Sequence, residues 1–129
     1  MAATVNETPL RPNSAVLGRL FYNTNTAVGG SETTVLEKCQ TEGFTRFTIQ
    51  IQNTNGSNAA VGKVYGSIRD PSTGSEGGTD WVQIGDDITV GTSSSAIKAI
   101  STTPLRHLCV RATGNGAELT CHIYGEQGE

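Results

Sequence analysis

The chain has 129 residues and a net charge of −3, with 16% charged residues, so it carries no basic field to grip nucleic-acid phosphates or an anionic membrane surface. Hydrophobic residues make up 35%, and no apolar run approaches the ~20 residues of a bilayer-spanning helix, which leaves one two-layer domain with wide polar loops. Three widely spaced cysteines fit neither a disulfide framework nor a zinc-finger pattern, and the start lacks a basic cluster followed by an apolar run, so a reducing cytoplasm is the expected place of synthesis.

Residues 1–15 contain Pro9, Pro12 and an Asn13-Ser14 step without apolar periodicity. They predict an extended arm, either frayed or ordered only against a neighbouring subunit, ahead of one β-sandwich domain over 16–129. Segment 15–22, AVLGRLFY, reads as a strand interrupted or bulged at Gly18, or as a short helix; its length and its exit into NTNTAVGG favour the strand. In 33–40, TTVLEKCQ, Val35, Glu37 and Cys39 share one face and Leu36 and Lys38 the other, a mixture that suits an edge strand.

The segment 44–53 is a clear strand, because Phe47, Ile49 and Ile51 alternate with Thr48, Gln50 and Gln52. After the turn NTNGSN, 61–68 returns with Val64 and Ile68 on one face and with Gly62 and Gly66 permitting a close backbone approach or a bulge. The stretch 69–79, RDPSTGSEGGT, is a long polar loop. A brief strand over 81–84 points Val82 and Ile84 one way and Trp81 and Gln83 the other. Two short apolar strands, 88–90 and 96–100, flank the linker GTSSS.

The closing segment 105–124, LRHLCVRATGNGAELTCHIY, reads as a hairpin about Asn115-Gly116, the preferred pair for a two-residue type I′ turn. In that register Leu108 faces Ile123, Val110 faces Cys121 and Ala112 faces Leu119, with His107, Cys109, Arg111, Thr120, His122 and Tyr124 on the opposite face. In all, about eight strands with short connections and no crossover helices predict an all-β, antiparallel β-sandwich, jelly-roll-like, with an extended N-terminal arm.

Chemistry is sparse. In the hairpin register His107, Cys109 and His122 approach one another as nitrogen and sulfur ligands would, but a structural zinc site wants a fourth ligand that the sequence does not supply. Packing against the second layer or a neighbouring subunit is the simpler reading. Read as a thiolate beside a base, Cys109 lacks an oxyanion site and an orienting third group, so neither an enzyme nor a cofactor is expected. Asp70, Asp80, Asp86 and Asp87 lack the spacing of a calcium loop and read as turn residues. Trp81 and Tyr65 would stack sugars if exposed; the apolar strand after Trp81 makes it a core or subunit-interface anchor instead.

The strand FTIQIQN at 47–53, the stretch DWVQIGDDITV at 80–90 and the segment LCVRATGNGAELTCHIY at 108–124 together resemble the small all-β structural proteins of tailed bacteriophage virions. The resemblance is one of strand pattern over the last two thirds of the chain. It implies a capsid decoration (cement) protein, made in the host cytoplasm and carried on the virion. Its partners would be the major capsid protein or other virion proteins, and it would form a homo-oligomer, with a trimer among the candidate forms. The residues expected at such an interface are Leu10, Arg11, Pro12, Leu17, Tyr22, Trp81, His107, Cys109, His122 and Tyr124, with loops 23–32 and 69–79 as further lattice contacts. The alternatives are a carbohydrate- or receptor-binding module, which needs Trp81 or Tyr65 exposed, and a tail or baseplate component.

Overall fold

The computed structural model describes residues 4–7, 18–23, 25–41, 44–68 and 81–126. These contain eleven strands and no helix: β1 (Thr4–Glu7), β2 (Gly18–Tyr22), β3 (Thr26–Ala27), β4 (Thr33–Gln40), β5 (Arg46–Asn53), β6 (Ala60–Ser67), β7 (Val82–Gln83), β8 (Ile88–Val90), β9 (Ser94–Ser101), β10 (His107–Thr113) and β11 (Glu118–Glu126). All pairings are antiparallel. Sheet A runs β1-β2-β11-β5-β9 with β3 also on β11, and sheet B runs β4-β10-β6-β7 with β8 also on β6. If β2 and β3 count as one interrupted strand and β7 and β8 as another, the two layers have the strand order of a jelly roll. The arm expected over 1–15 is described only at β1, which pairs with β2 of its own chain.

Alternation decides which side of each strand faces inward. On β5, Phe47, Ile49, Ile51 and Asn53 are buried while Arg46, Thr48, Gln50 and Gln52 stand in water. Leu119, Cys121 and Ile123 of β11 face the core from the same layer, and Leu108, Val110 and Ala112 of β10 meet them from sheet B. Each fully buried Ile, Leu or Phe contributes roughly 1.5–3 kcal/mol, so truncating Ile49 or Leu108 to Ala should cost about 2–5 kcal/mol. Gly62 and Gly66 bring β6 close to its neighbours, since a Cβ there would lie 2.7 Å from Ile51 Cδ1 and Leu105 Cδ1 respectively.

The expected hairpin over 105–124 does not form. Its turn does: Asn115 and Gly116 take positive φ values of 42° and 107°, and the Ala117 N–H donates to the Gly114 carbonyl. The strands on either side enter different sheets, β10 between β4 and β6 and β11 between β2 and β5. Leu108, Val110 and Ala112 therefore oppose Ile123, Cys121 and Leu119 across the core rather than along a ladder. The Gly114, Asn115 and Gly116 N–H groups bond to the carbonyls of Val28 and Gly29, which anchors the arch to the β3–β4 loop.

Three smaller expectations also change. On β4, register breaks opposite Leu108–Val110 and Val110–Arg111 place Leu36 and Cys39 both toward the core, so simple alternation fails there. The strand is at a sheet edge, as its composition suggested. Ile68 lies past the end of β6 and is 66% exposed, and the 81–84 strand shortens to Val82–Gln83 with Val82 outward and Ile84 against the core.

Two buried asparagines hold the layers' ends. Asn53 Nδ2 donates to the carbonyls of Asn58 (2.7 Å) and Gly91 (3.2 Å), and its Oδ1 accepts from the N–H groups of Asn55 (3.0 Å) and Glu118 (3.3 Å). One side chain thus ties three chain segments to the end of β5. Asn23 sits where β2 breaks from β3: its Oδ1 accepts from the Cys121 N–H at 2.6 Å, and its Nδ2 donates to Thr26 Oγ1 at 2.8 Å. It replaces ladder bonds that the break would otherwise leave unmade.

Candidate interface on the outer face of sheet A

Residues directly opposite in an antiparallel ladder share a face, so the registers define rows across sheet A. One outer row reads Tyr22, His122, Gln50, Ile97, and the next reads Leu20, Tyr124, Thr48, Ala99. Thr120, Gln52 and Ser95 make a third. None of these side chains is an acid, a lysine or an arginine. Arg46 and Glu126 lie at the margin, opposite each other. The rings of Tyr22 and His122 stack with centroids 5.6 Å apart and planes 16° from parallel. Tyr124 lies over Gly18, where an added Cβ would overlap its hydroxyl. Ile97 is 68% exposed, more than any other large hydrophobic side chain described.

This face brings together three of the residues singled out from sequence: Tyr22, His122 and Tyr124. His107 and Cys109 do not join them. Both lie on the outer side of sheet B, opposite Ser67 and Tyr65, and both are buried. The suggested cluster of His107, Cys109 and His122 is therefore divided between opposite faces of the sandwich, because β10 and β11 belong to different layers. No group of three potential metal ligands occurs among the described residues. Trp81 is buried at 6% exposure, so its ring offers no stacking platform. Leu10, Arg11, Pro12, Leu17 and the loop 69–79 lie outside the described residues.

Sheet B carries a polar cluster that the sequence reading missed. Glu32, just before β4, accepts from Arg111 Nη1 at 2.9 Å and from the Tyr65 hydroxyl at 3.1 Å, with Lys63 Nζ at 3.9 Å. Arg111 Nη2 also reaches the Glu32 carbonyl at 3.2 Å. Partial burial, then the bond to Glu32, raises the Tyr65 phenol above its ordinary pKa. The arrangement ties the β3–β4 loop to β6 and β10 and leaves the carboxylate fully engaged. Only the adjacency of Arg111 and Lys63 in the sheet creates it, and sequence spacing does not reveal that adjacency.

All three cysteines are buried thiols outside any disulfide. Burial pushes Cys121 up to about 12 and raises Cys39 well above its ordinary value. As thiols they are small apolar core or near-core groups.

No protein-family model matches the chain, and no curated protein matches it. Solved structures do. The chain is similar to one from Bacillus endospore appendages, described as forming a novel family of disulfide-linked pili. That likeness has a TM-score of 0.52 at 12% identity, over 95% of this chain and 100% of the other. It is also similar to PirA, with a TM-score of 0.49 at 16% identity over 89% of this chain and 98% of that one. A chain of infectious bursal disease virus, Gx strain, matches with a TM-score of 0.37 at 9% identity, over 96% of this chain and 37% of that one. At these identities what is shared with the appendage chain is the fold.

Proposed function

We propose that the chain is a structural subunit that works by self-association, in the specific form of a decoration protein that binds a phage head lattice and is carried on the virion. The observation behind this reading is the outer face of sheet A. Tyr22, His122, Tyr124, Leu20 and Ile97 stand there among uncharged polar residues, which is the composition of an interface centre: aromatic and depleted of charge. The mechanism is burial of this face against the lattice, the major capsid protein being the partner, with a modest area per subunit multiplied by copy number.

The likeness to the endospore appendage chain supports the same sandwich as a building block of assemblies. The chemistry of linkage differs, because burial of Cys39, Cys109 and Cys121 withholds every thiol of this chain from a neighbour. The carbohydrate-binding alternative loses its best platform with the burial of Trp81, and the Tyr65 hydroxyl is bonded to Glu32.

Light scattering over a concentration series tests the proposal. A closed homo-oligomer is expected. A monomer at every concentration overturns the reading, and glycan binding by that monomer would select the receptor-binding module instead.

A further inference from the structure

A sandwich presents four sheet edges, and three of these are blunted. β1 has four residues, the β7/β8 side consists of strands of two and three residues, and β4 carries two register breaks. The fourth edge, β9, has eight residues in unbroken register with β5, from Arg46 opposite Ser101 to Asn53 opposite Ser94.

The bond from the Thr102 N–H to the Thr45 carbonyl, 2.8 Å, continues that register and fixes its alternation. Even-numbered residues direct their N–H and C=O groups to β5, and Ser95, Ile97, Ala99 and Ser101 direct theirs to the open side, beyond which no described strand lies. The one charged side chain of β9, Lys98, is turned to the inner side, 3.9 Å from Asp86.

We propose that β9 is a pairing edge whose occupant is β9 of a second copy, antiparallel about a two-fold axis with Ile97 opposite Ile97. This rests on the reading of the chain as a self-associating subunit, and it names the interface. Ladder bonds across the axis must join outward-directed residues, which limits the registers. Centring on Lys98 sets two ammonium groups opposite each other. Centring on Ala99 leaves Ile97 opposite Ser101. Centring on Ile97 buries this side chain against its own copy, places Ser95 opposite Ala99 and sets Lys98 opposite Ala96.

Charge does not oppose the pairing. Asp86, its side chain 95% exposed, stands beside Lys98, so each edge carries one acid and one base. Under the edge, between the layers, a cavity of about 420 Å³ lined by Ile84, Lys98, Ile100 and Leu105 has room for inward side chains of the added strand. Pairing would also carry the row Tyr22, His122, Gln50, Ile97 through the axis into its counterpart, doubling the face assigned to the lattice.

Oxidative cross-linking of single-cysteine additions tests the register, with a clean background because the native thiols are buried. Opposed Cα atoms in a hydrogen-bonded antiparallel pair lie about 5.5 Å apart, within disulfide reach. Ile97→Cys is expected to give a covalent dimer on a non-reducing gel and Ala99→Cys to remain single-chain. Ile97→Lys, on an exposed side chain, is expected to halve the native mass with the circular dichroism spectrum unchanged. If the wild type is oligomeric but Ile97→Lys leaves its mass unaltered, or if Ala99→Cys cross-links in place of Ile97→Cys, the β9 interface is wrong and the self-association reading stands. A wild type monomeric throughout removes both.

Discussion

Tyr22 and His122 lie directly opposite each other on β2 and β11, and their rings stack at 5.6 Å. The pair couples two strands on the outer face of sheet A across 100 positions of chain, from 22 to 122. Truncating either residue to Ala should cost about 0.5–1.5 kcal/mol, and a double-mutant cycle in urea should return a coupling of about 0.5 kcal/mol or more. A coupling indistinguishable from zero would mean the rings are neighbours without a stabilising contact.

Gly18 lies beneath the Tyr124 ring, with no room for a methyl group. Gly18→Ala should displace that ring, the far end of a partly exposed side chain, and lower stability by about 1 kcal/mol or less, measured by thermal melts. Adding Tyr124→Ala to the same chain should recover part of the loss, because the second change removes the group that the new Cβ strikes. If the double variant is as unstable as the sum of the two singles, the contact is not the cause.

Asn53 joins the β5–β6 loop, Gly91 and the start of β11 through four hydrogen bonds. Asn53→Leu, close in volume but without polar atoms, should destabilise the fold by about 2–4 kcal/mol, since several buried backbone groups lose their partner at once. Asn53→Asp should retain the two acceptor contacts and lose both donor contacts. Its second carboxylate oxygen then faces the Asn58 and Gly91 carbonyls, so at neutral pH the denaturant midpoints of both variants should fall well below that of the wild type; an Asp variant as stable as the wild type would contradict the network.

Thiol chemistry offers a pH prediction. An unfolded chain releases the Cys121 proton near the ordinary value of 9.0, whereas burial holds it to about 12 in the fold. The folded state then binds the proton more tightly, so stability is intact below 9.0 and falls as pH rises from there toward 12. Equilibrium unfolding at stepped alkaline pH should show the decline, weakened in Cys121→Ala once its own cavity cost is subtracted. At pH 8 a thiol reagent should leave the native chain unmodified and label Cys39, Cys109 and Cys121 only after unfolding.

Tyr65 should report on Glu32. Replacing the carboxylate in Glu32→Gln removes one of the causes that hold the phenol above its ordinary pKa, so the ultraviolet titration of Tyr65 should move down. An unchanged curve would leave desolvation alone as the cause.

Much of the fold was legible because inward and outward residues alternate on β5, β10 and β11, and because small residues mark the turns. The same alternation hid the relation between β10 and β11. A hairpin and an arch that crosses the sandwich give one identical pattern of buried positions, and Asn115-Gly116 serves both. Misplacing that one connection produced the false proximity of His107 and Cys109 to His122. His122 and Tyr124 could be placed on the face away from the core by parity and Tyr22 only named as an interface candidate, but their assembly into one surface depends on β11 lying between β2 and β5. Ile97 was hidden in a short segment, 96–100, where apolar residues occupy both parities. The roles of Asn23, Asn53 and Glu32 depend on partners distant in sequence, for which no local pattern exists.

The strands latest in sequence occupy central places: β10 lies between β4 and β6, and β11 between β2 and β5. Sheet B cannot close until β10 has left the ribosome, nor sheet A until β11 has. While the chain is being made, β5 waits with the backbone groups of Thr48, Gln50 and Gln52 that will meet β11 unpaired, and with the core face carrying Ile49 and Ile51 uncovered. Ordering these strands requires contacts across nearly the whole chain, the condition for slow folding, and the interval is one in which nascent copies can pair wrongly. Cooler growth or slower expression should therefore raise the soluble yield of a protein whose finished fold is well packed.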